Sequence, residues 1–417
     1  MNKDIIVGLD FGSSVIRIAV GQETESGERN FIHIIGAAEV SAEGIHRGIV
    51  TSIDDAVSSI SSCIERAEHI IGAPIERAII GITGSHIISQ PSRGVIGISR
   101  QDGEITEDDI ERAIEAARTV PIPSNHEILH VIPKGFTIDG QSGIKDPREM
   151  TGIRLEVDTE IIQGVTTQIK NITKSIYRTS IDIEDVVFSI LATSEAVVTS
   201  RQKEIGVLVV NIGASTTSLI VFEEGDVLHT SVLSIGSEHI TSDIAIGLRT
   251  SIDVAERVKI EAGTALTKDV GKKEEINLRD FGGLEDEYVS RKYVADIIEA
   301  RVEEIFDKIN SQLKGVGRSG LLPGGVVLTG GGAKIPGIVD VAKRRLKLPA
   351  LLGYPLSITG ITDRINDLSF TTAVGLVLWG ENLRTQDKGF IKGLSDRFNS
   401  ADKVVKKVKK WFGSIMP

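Results

Sequence analysis

Two stretches of the chain carry the same pattern of apolar and polar positions. Residues 7–20 read VGLDFGSSVIRIAV and residues 208–221 read LVVNIGASTTSLIV, an offset of 201 positions. In each, an apolar run ends at a small polar residue, Asp10 or Asn211. Gly12 or Gly213 follows, then the small pair Ser13-Ser14 or Ala214-Ser215, then a second run of alternating character. Glycine and small hydroxyl residues between two β-rich runs predict a hairpin. Repetition at about half the chain length predicts two related lobes. A third glycine turn, GVVLTGGGAKIPGI at 325–338, reads as a buried strand, the turn Gly330-Gly331-Gly332 and a helix start near Pro336. Helical spacing occurs at 104–118, EITEDDIERAIEAAR. Thr106 precedes an acidic first turn and apolar residues recur at 110, 113, 114 and 117, which predicts a capped amphipathic helix.

The last 17 residues, ADKVVKKVKKWFGSIMP, repeat that helical spacing. At 100° per residue, Val404, Val405, Val408, Trp411, Phe412 and Ile415 share an arc of about 120°. Lys403, Lys406, Lys407, Lys409 and Lys410 take the remaining face. Such a helix suits the protein's own body, a partner groove, or an anionic lipid surface, where each lysine contributes about 1 kcal/mol. Before it, a polar stretch interrupted by Gly389 and Gly393 predicts a flexible linker over 386–400.

Composition narrows these readings. With 417 residues the chain exceeds one ordinary core, and 41% hydrophobic with 25% charged residues is a globular balance. Aromatics are only 4%, so the interior is built from Ile, Val, Leu and Ala, as in buried strands and their covering helices. A single cysteine, Cys63, excludes an internal disulfide and fits a reducing cytoplasm. The start, MNKDIIVGLD, does not read as a signal peptide, and no stretch reaches the ~18 apolar residues of a membrane span. A net charge of -11 argues against nucleic acid as a partner.

The candidate chemistry lies in the turns. Glycine lets backbone N–H groups approach an anion closely, and Ser and Thr hydroxyls add donors. An Asp at a strand end can hold hydrated Mg²⁺ on the phosphate side. Either turn alone is an ordinary glycine hairpin; two in register can grip a phosphate chain from both sides. The triple-glycine turn is not a dinucleotide fingerprint, because position 335 is Ile, and the chain has no P-loop motif.

The order of two phosphate hairpins and a late triple-glycine turn resembles the actin, Hsp70 and sugar-kinase superfamily. Longer stretches are similar to the FtsA family of bacterial cell-division actin homologues: GITGSHIISQPSRGVIGISRQDGEITEDDIERAIEAA (81–117), SIGSEHITSDIAIGLRTSIDVAERVKIEAGTAL (234–266), VVLTGGGAKIPGI (326–338) and GYPLSITGITDRINDLSFTTAVGLVLWGEN (353–382). The resemblance implies an α/β, actin-like two-lobe ATPase fold with duplicated RNase H-like domains, an inserted small α+β subdomain and a C-terminal amphipathic helix. It implies a first nucleotide lobe at 1–82 plus 163–197, the insert at 83–162, a second lobe at 198–235 plus 309–385, a cap at 236–308, and a membrane-targeting helix at 401–417.

By the same resemblance Asp10, Gly12, Ser13 and Ser14 form the first phosphate loop, with Asp10 holding Mg²⁺ through water. Asn211 and Gly213, Ala214, Ser215, Thr216 and Thr217 form the second. Glu256 and Lys259, on one helical face, and Gly330, Gly331, Gly332 and Ala333 contact the adenosine of ATP. The implied partners are the C-terminal peptide of FtsZ near Arg291 and Arg301, further copies of the chain, other divisome proteins, and anionic lipid at the cytoplasmic face of the inner membrane at the division site. Asn211 stands where the family has Asp, and SILATSEAVV lacks the Glu-Pro that filament-forming relatives carry, so ATP binding with weak or absent hydrolysis is expected. The alternatives are a PilM-like pilus-assembly homologue and a soluble kinase of the superfamily.

Overall fold

A computed structural model of the chain describes residues 5–26, 29–356, 358–360 and 365–391. In the first half, β1 (Ile5–Phe11) and β2 (Val15–Ser26) pair antiparallel, with Asp10 opposite Arg17. β3 (Arg29–Ser41) continues the antiparallel run, and the small hairpin β4 (Ile45–His46) and β5 (Ile49–Val50) leads into α1 (Ile53–Ile71). Ser52 caps that helix and Gly72 ends it in the left-handed region, the usual start and stop chemistry. β6 (Arg77–Ile82) adds parallel to β1, β11 (Asp182–Phe188) parallel to β6, and β19 (Thr359–Gly360) closes the other edge. The sheet order is β11-β6-β1-β2-β3-β19.

An insert follows β6. It comprises β7 (Ile87–Gly97), α2 (Glu107–Ala117), β8 (His126–Ile138), β9 (Gln141–Ile144) and β10 (Arg154–Val165), in the order β7-β10-β8-β9. Thr106 caps α2 through a capping box with Asp109, and Ile110, Ala113, Ile114 and Ala117 are its buried apolar face. These pack on Phe136, Leu155 and Val157 as a separate small core. The chain then returns through α3 (Thr166–Tyr177) to β11 and α4 (Ser189–Val197).

After α5 (Ser200–Ile205) the second half repeats the first. β12 (Val207–Ile212) and β13 (Thr217–Glu223) pair with Asn211 opposite Ser218, and β14 (Asp226–Leu233) flanks them. β17 (Val326–Thr329) and β18 (Ala350–Leu352) complete the order β14-β13-β12-β17-β18. Between β14 and β17 stand α6 (Ser237–Leu248), α7 (Ile252–Ala262), the pair β15 (Glu275–Asn277) and β16 (Tyr288–Ser290), and α8 (Arg291–Gly315). α9 (Ile338–Leu346) covers the second sheet.

α10 (Thr371–Ile391) corrects two expectations. The resemblance implies that residues up to 385 belong to the second lobe, yet Ala373, Leu376 and Val377 pack against Gly8 of β1, and Trp379 Nε1 donates to Asp185 on β11 at 3.2 Å. The apolar face of this segment fits the first sheet, so the chain crosses back. The linker expected from residue 386 is helical as far as Ile391. A helix already anchored by buried turns propagates cheaply, and one glycine costs it only about 1 kcal/mol. The remainder of the linker and the amphipathic helix at 401–417 lie outside the described residues. No helix among the described residues is long and apolar enough to cross a membrane.

Candidate functional site

Both hairpin turns open into one cleft of about 420 Å³ between the two sheets. Gly12 makes the first turn tight: a Cβ there would sit 2.3 Å from the Val15 carbonyl oxygen. Ser13 Oγ accepts a hydrogen bond from the Gly48 N–H at 3.0 Å, which ties the loop to the β4–β5 hairpin. Asp10 stands on the cleft floor, where loss of water around its carboxyl pushes the pKa up to about 6. The Arg17 guanidinium and the Ser189 hydroxyl oppose that rise only in part. Ser189, the first residue of α4, is buried and makes no well-aligned hydrogen bond.

The second turn is built alike. A Cβ on Gly213 would lie 2.9 Å from the Thr216 oxygen. Asn211 donates from Nδ2 to Thr372 Oγ1, at the start of α10, at 3.0 Å. α6 begins against this loop, with the Ser237 and Glu238 N–H groups donating to the carbonyls of Gly213 and Ala214 at 2.9 and 2.8 Å. Thr83 and Ser218 join the lobes across the cleft floor, hydroxyl to hydroxyl, at 2.9 Å.

At the far end, Lys259 is buried and its ammonium meets Glu256 at 2.6 Å and Thr241 Oγ1 at 2.8 Å; Glu256 also accepts from Thr241. The pair lines the cleft, with the ammonium buried and the carboxylate partly open to solvent. Gly330 takes φ 86°, and a Cβ there would collide with Asn211 Oδ1 at 2.2 Å, so this turn packs flat against the second phosphate hairpin. Lys334, bonded to Asp367 at 2.6 Å, closes the wall.

Of the residues expected from sequence, the cleft brings together Asp10, Gly12, Ser13, Ser14, Asn211, Gly213, Ala214, Thr216, Glu256, Lys259, Gly330, Gly331 and Gly332. Three do not line it. Ser215 is buried and donates to Glu238 at 2.6 Å; Thr217 is buried and donates to the Ile235 carbonyl at 2.8 Å; Ala333 is buried in the second core. Ser215 and Thr217 are two residues apart, and both side chains turn inward. Arg17, Thr83, Ser189, Ser218 and Thr372 line the cleft and were not anticipated. Arg17 was legible, since a three-residue turn places it opposite Asp10; it also pairs with Glu39 at 3.0 Å and lies 5.5 Å from the Phe370 ring centre. Ser189 and Thr372 come from distant helices that no local pattern connects to the turns.

The two arginines expected at a partner surface are both on α8 and already engaged. Arg291 bonds Glu274 at 2.7 Å and the Ala262 carbonyl at 3.0 Å, and Arg301 holds Asp243 with two hydrogen bonds and meets Glu304. Ile246 on α6 and Tyr293 on α8 stand exposed nearby. No cluster of three or more metal-ligating side chains is present among the described residues. The donors nevertheless fit a metal-bound polyphosphate: glycine turns without room for Cβ, an acid on the floor, and a buried hydroxyl beside it.

Comparison with known proteins agrees with this architecture. Residues 208–375 match the family model "Cell division protein FtsA", and residues 84–163 match "SHS2 domain inserted in FTSA". The chain is 34% identical over 411 residues to the cell division protein FtsA of Pseudomonas aeruginosa, covering 98% of this chain and 97% of that one. The protein of the same name from Bacillus subtilis is 36% identical, over 93% of this chain and 86% of its own. Among solved structures, a PilM–PilN type IV pilus biogenesis complex superposes with TM-score 0.65 at 17% identity, covering 90% of this chain and 98% of the other. MreB5 of Spiroplasma citri bound to ADP superposes with TM-score 0.54 at 12% identity, covering 93% and 99%. The fold is thus actin-like, with an inserted SHS2 domain.

Proposed function

The chain belongs to the FtsA family of cell division proteins, and from that premise we propose that it is an ATP-bound, polymerising adaptor that ties FtsZ to the cytoplasmic face of the inner membrane and helps recruit the divisome. The observation that carries the nucleotide half of this reading is the cleft itself, into which both phosphate hairpins and the Gly330–Gly332 turn open.

In this reading the hairpin N–H groups and the Ser13, Ser14 and Thr216 hydroxyls hold the phosphates, while Glu256, Lys259 and the glycine turn hold the adenosine. Bound Mg²⁺ would screen the phosphate charge. Asp10 is the residue to hold it, through water. Asn211 keeps the shape of its hairpin without a charge, and Ser189 offers a hydroxyl where proton abstraction needs a base, so the chain retains ATP and cleaves it slowly. FtsZ is assigned to the cap, where Ile246 and Tyr293 supply exposed apolar contact and Arg291 and Arg301 supply charge, provided an acidic peptide displaces part of their present pairing. Subunit contacts are assigned to the insert.

The membrane half rests on the sequence of the tail: five lysines around an apolar stripe ending in Trp411 and Phe412. A single helix of this kind binds reversibly, and a polymer multiplies it by avidity. Co-sedimentation with anionic liposomes in ATP tests it, comparing the full chain with one ending at residue 400. The full chain alone is expected to pellet, less so in 1 M salt or with neutral lipid. Equal pelleting of both chains would remove the membrane assignment. A second reading, a PilM-like pilus adaptor, is favoured by the shared fold; retention of a pilus inner-membrane peptide in place of FtsZ peptide would select it.

A further inference from the structure

By connectivity the insert belongs to the first lobe, entering after β6 and leaving into α3. It packs on that lobe, where the Phe188 N–H of β11 donates to His130 Nε2 of β8 at 3.0 Å, and it also reaches the second lobe. β14 is an edge strand, paired with β13 on one side only. The carbonyls on a free edge need donors, and an uncovered edge invites pairing with another chain. Side chains of the insert supply those donors. Ser89 Oγ on β7 donates to the Thr230 carbonyl at 2.8 Å. Lys134 Nζ on β8 donates to the Leu228 carbonyl at 2.8 Å. Lys145, just beyond β9, donates to the Glu224 carbonyl and pairs with Asp226.

The three contacts differ in firmness. Lys134 is also bound to Glu160 at 2.6 Å, and that carboxylate is 4% exposed, so the ammonium is held in place. Lys145 is 48% exposed and reaches β14 from a loop. They differ in leverage too. Leu233, at one end of β14, is opposite Thr217 beside the second phosphate loop. At about 3.3 Å per residue, Thr230 is roughly 10 Å from that end and Asp226 roughly 23 Å. Any rotation that parts the lobes about the cleft floor displaces the Lys145 end more than the Ser89 end.

We propose that the insert is a clasp between the lobes. Ser89 and Lys134 are its seated end, and Lys145 releases Asp226 as the cleft opens, so occupancy of the cleft and seating of the insert on β14 are coupled in both directions. The coupling to ATP rests on the nucleotide reading above; the seating does not. Under that reading, a subunit that pulls on the insert also changes ATP affinity.

Hydrogen exchange and release of a fluorescent ATP analogue, measured on the full chain, test this with Lys145→Ala and the conservative Lys145→Arg. In wild type, ATP is expected to slow exchange in β8 and β9 as well as in the cleft. Lys145→Ala should raise exchange at β9 and β14 without ligand, abolish the ATP effect on the insert, and speed release roughly fivefold or more. Lys145→Arg should behave as wild type. Unchanged exchange at β9 and β14 in Lys145→Ala overturns the clasp, as does an insert indifferent to bound ATP. A wild-type chain that binds no ATP overturns the nucleotide reading instead, and the ligand-free exchange then decides the clasp alone.

Discussion

In the first lobe Asp10 stands opposite Arg17; in the second, 201 residues on, Asn211 stands opposite Ser218. Each polar residue ends a central strand, precedes a glycine turn without room for Cβ, and is met by a hydroxyl at the start of a helix, Ser189 of α4 or Thr372 of α10. The backbones are equivalent and the electrostatics are not. The second lobe lacks the carboxylate and its guanidinium partner together. That pairing has a physical logic: an aspartate opposite Ser218 would be a desolvated carboxylate with no counter-charge. One side of the cleft therefore supplies charge and the other supplies shape.

The largest test of that division is Asp10→Asn, which makes the first hairpin like the second. Affinity for Mg²⁺–ATP is expected to fall about 100-fold, roughly 3 kcal/mol, by calorimetry. Without ligand the same variant should be the more stable one at pH 7. Burial raises the folded-state pKa of Asp10 from 3.8 to about 6, so ionisation costs stability as pH rises through that window, and Asn avoids a cost of about 3 kcal/mol. The stability gap between variant and wild type should open between about pH 4 and 6 and stay flat above. Taking the difference matters because His86 slopes the other way: burial lowers it to about 4, so its contribution is whole above pH 6.5 and fades as pH falls. Unchanged Mg²⁺–ATP affinity would mean that the hairpins are electrically interchangeable.

A smaller effect is expected from Asn211→Asp, which adds the missing acid without a cationic partner. The ligand-free chain should lose about 1–2 kcal/mol at pH 7 in urea unfolding, and slow ATP turnover should rise. Wild-type turnover on the order of 1 s⁻¹ would already contradict a second hairpin that contributes only shape. Smallest is a matched pair at the helix starts. Thr372→Val leaves the Asn211 amide without its acceptor and should cost about 1 kcal/mol, whereas Ser189→Ala removes a hydroxyl that bonds nothing well and should stay within about 0.5 kcal/mol. Equal losses would show that Ser189 is as firmly engaged as Thr372.

Local pattern made much of this legible. The hairpin repeat exposed the two-lobe plan, the Thr106 helix was readable from its cap and apolar spacing, and the glycines marked their own turns because tight turns exclude Cβ. The inward direction of Ser215 and Thr217 was not, since it depends on which face of β13 meets α6 and the second core. Nor was the return of α10 to the first lobe. An apolar helix advertises that it will be buried, not where.

The sequence by itself determined that there are two hairpins, that only one carries a charge, and that a basic amphipathic stretch ends the chain, because each of these is written in neighbouring residues. Tertiary structure alone decided that Ser189 and Thr372 join the cleft, that Lys259 is buried against Thr241, and that an insert threaded into the first lobe rests on the edge of the second. Those contacts join positions tens to hundreds of residues apart. They follow from which apolar surfaces pack together, a choice made by the whole core and carried by no single segment of it.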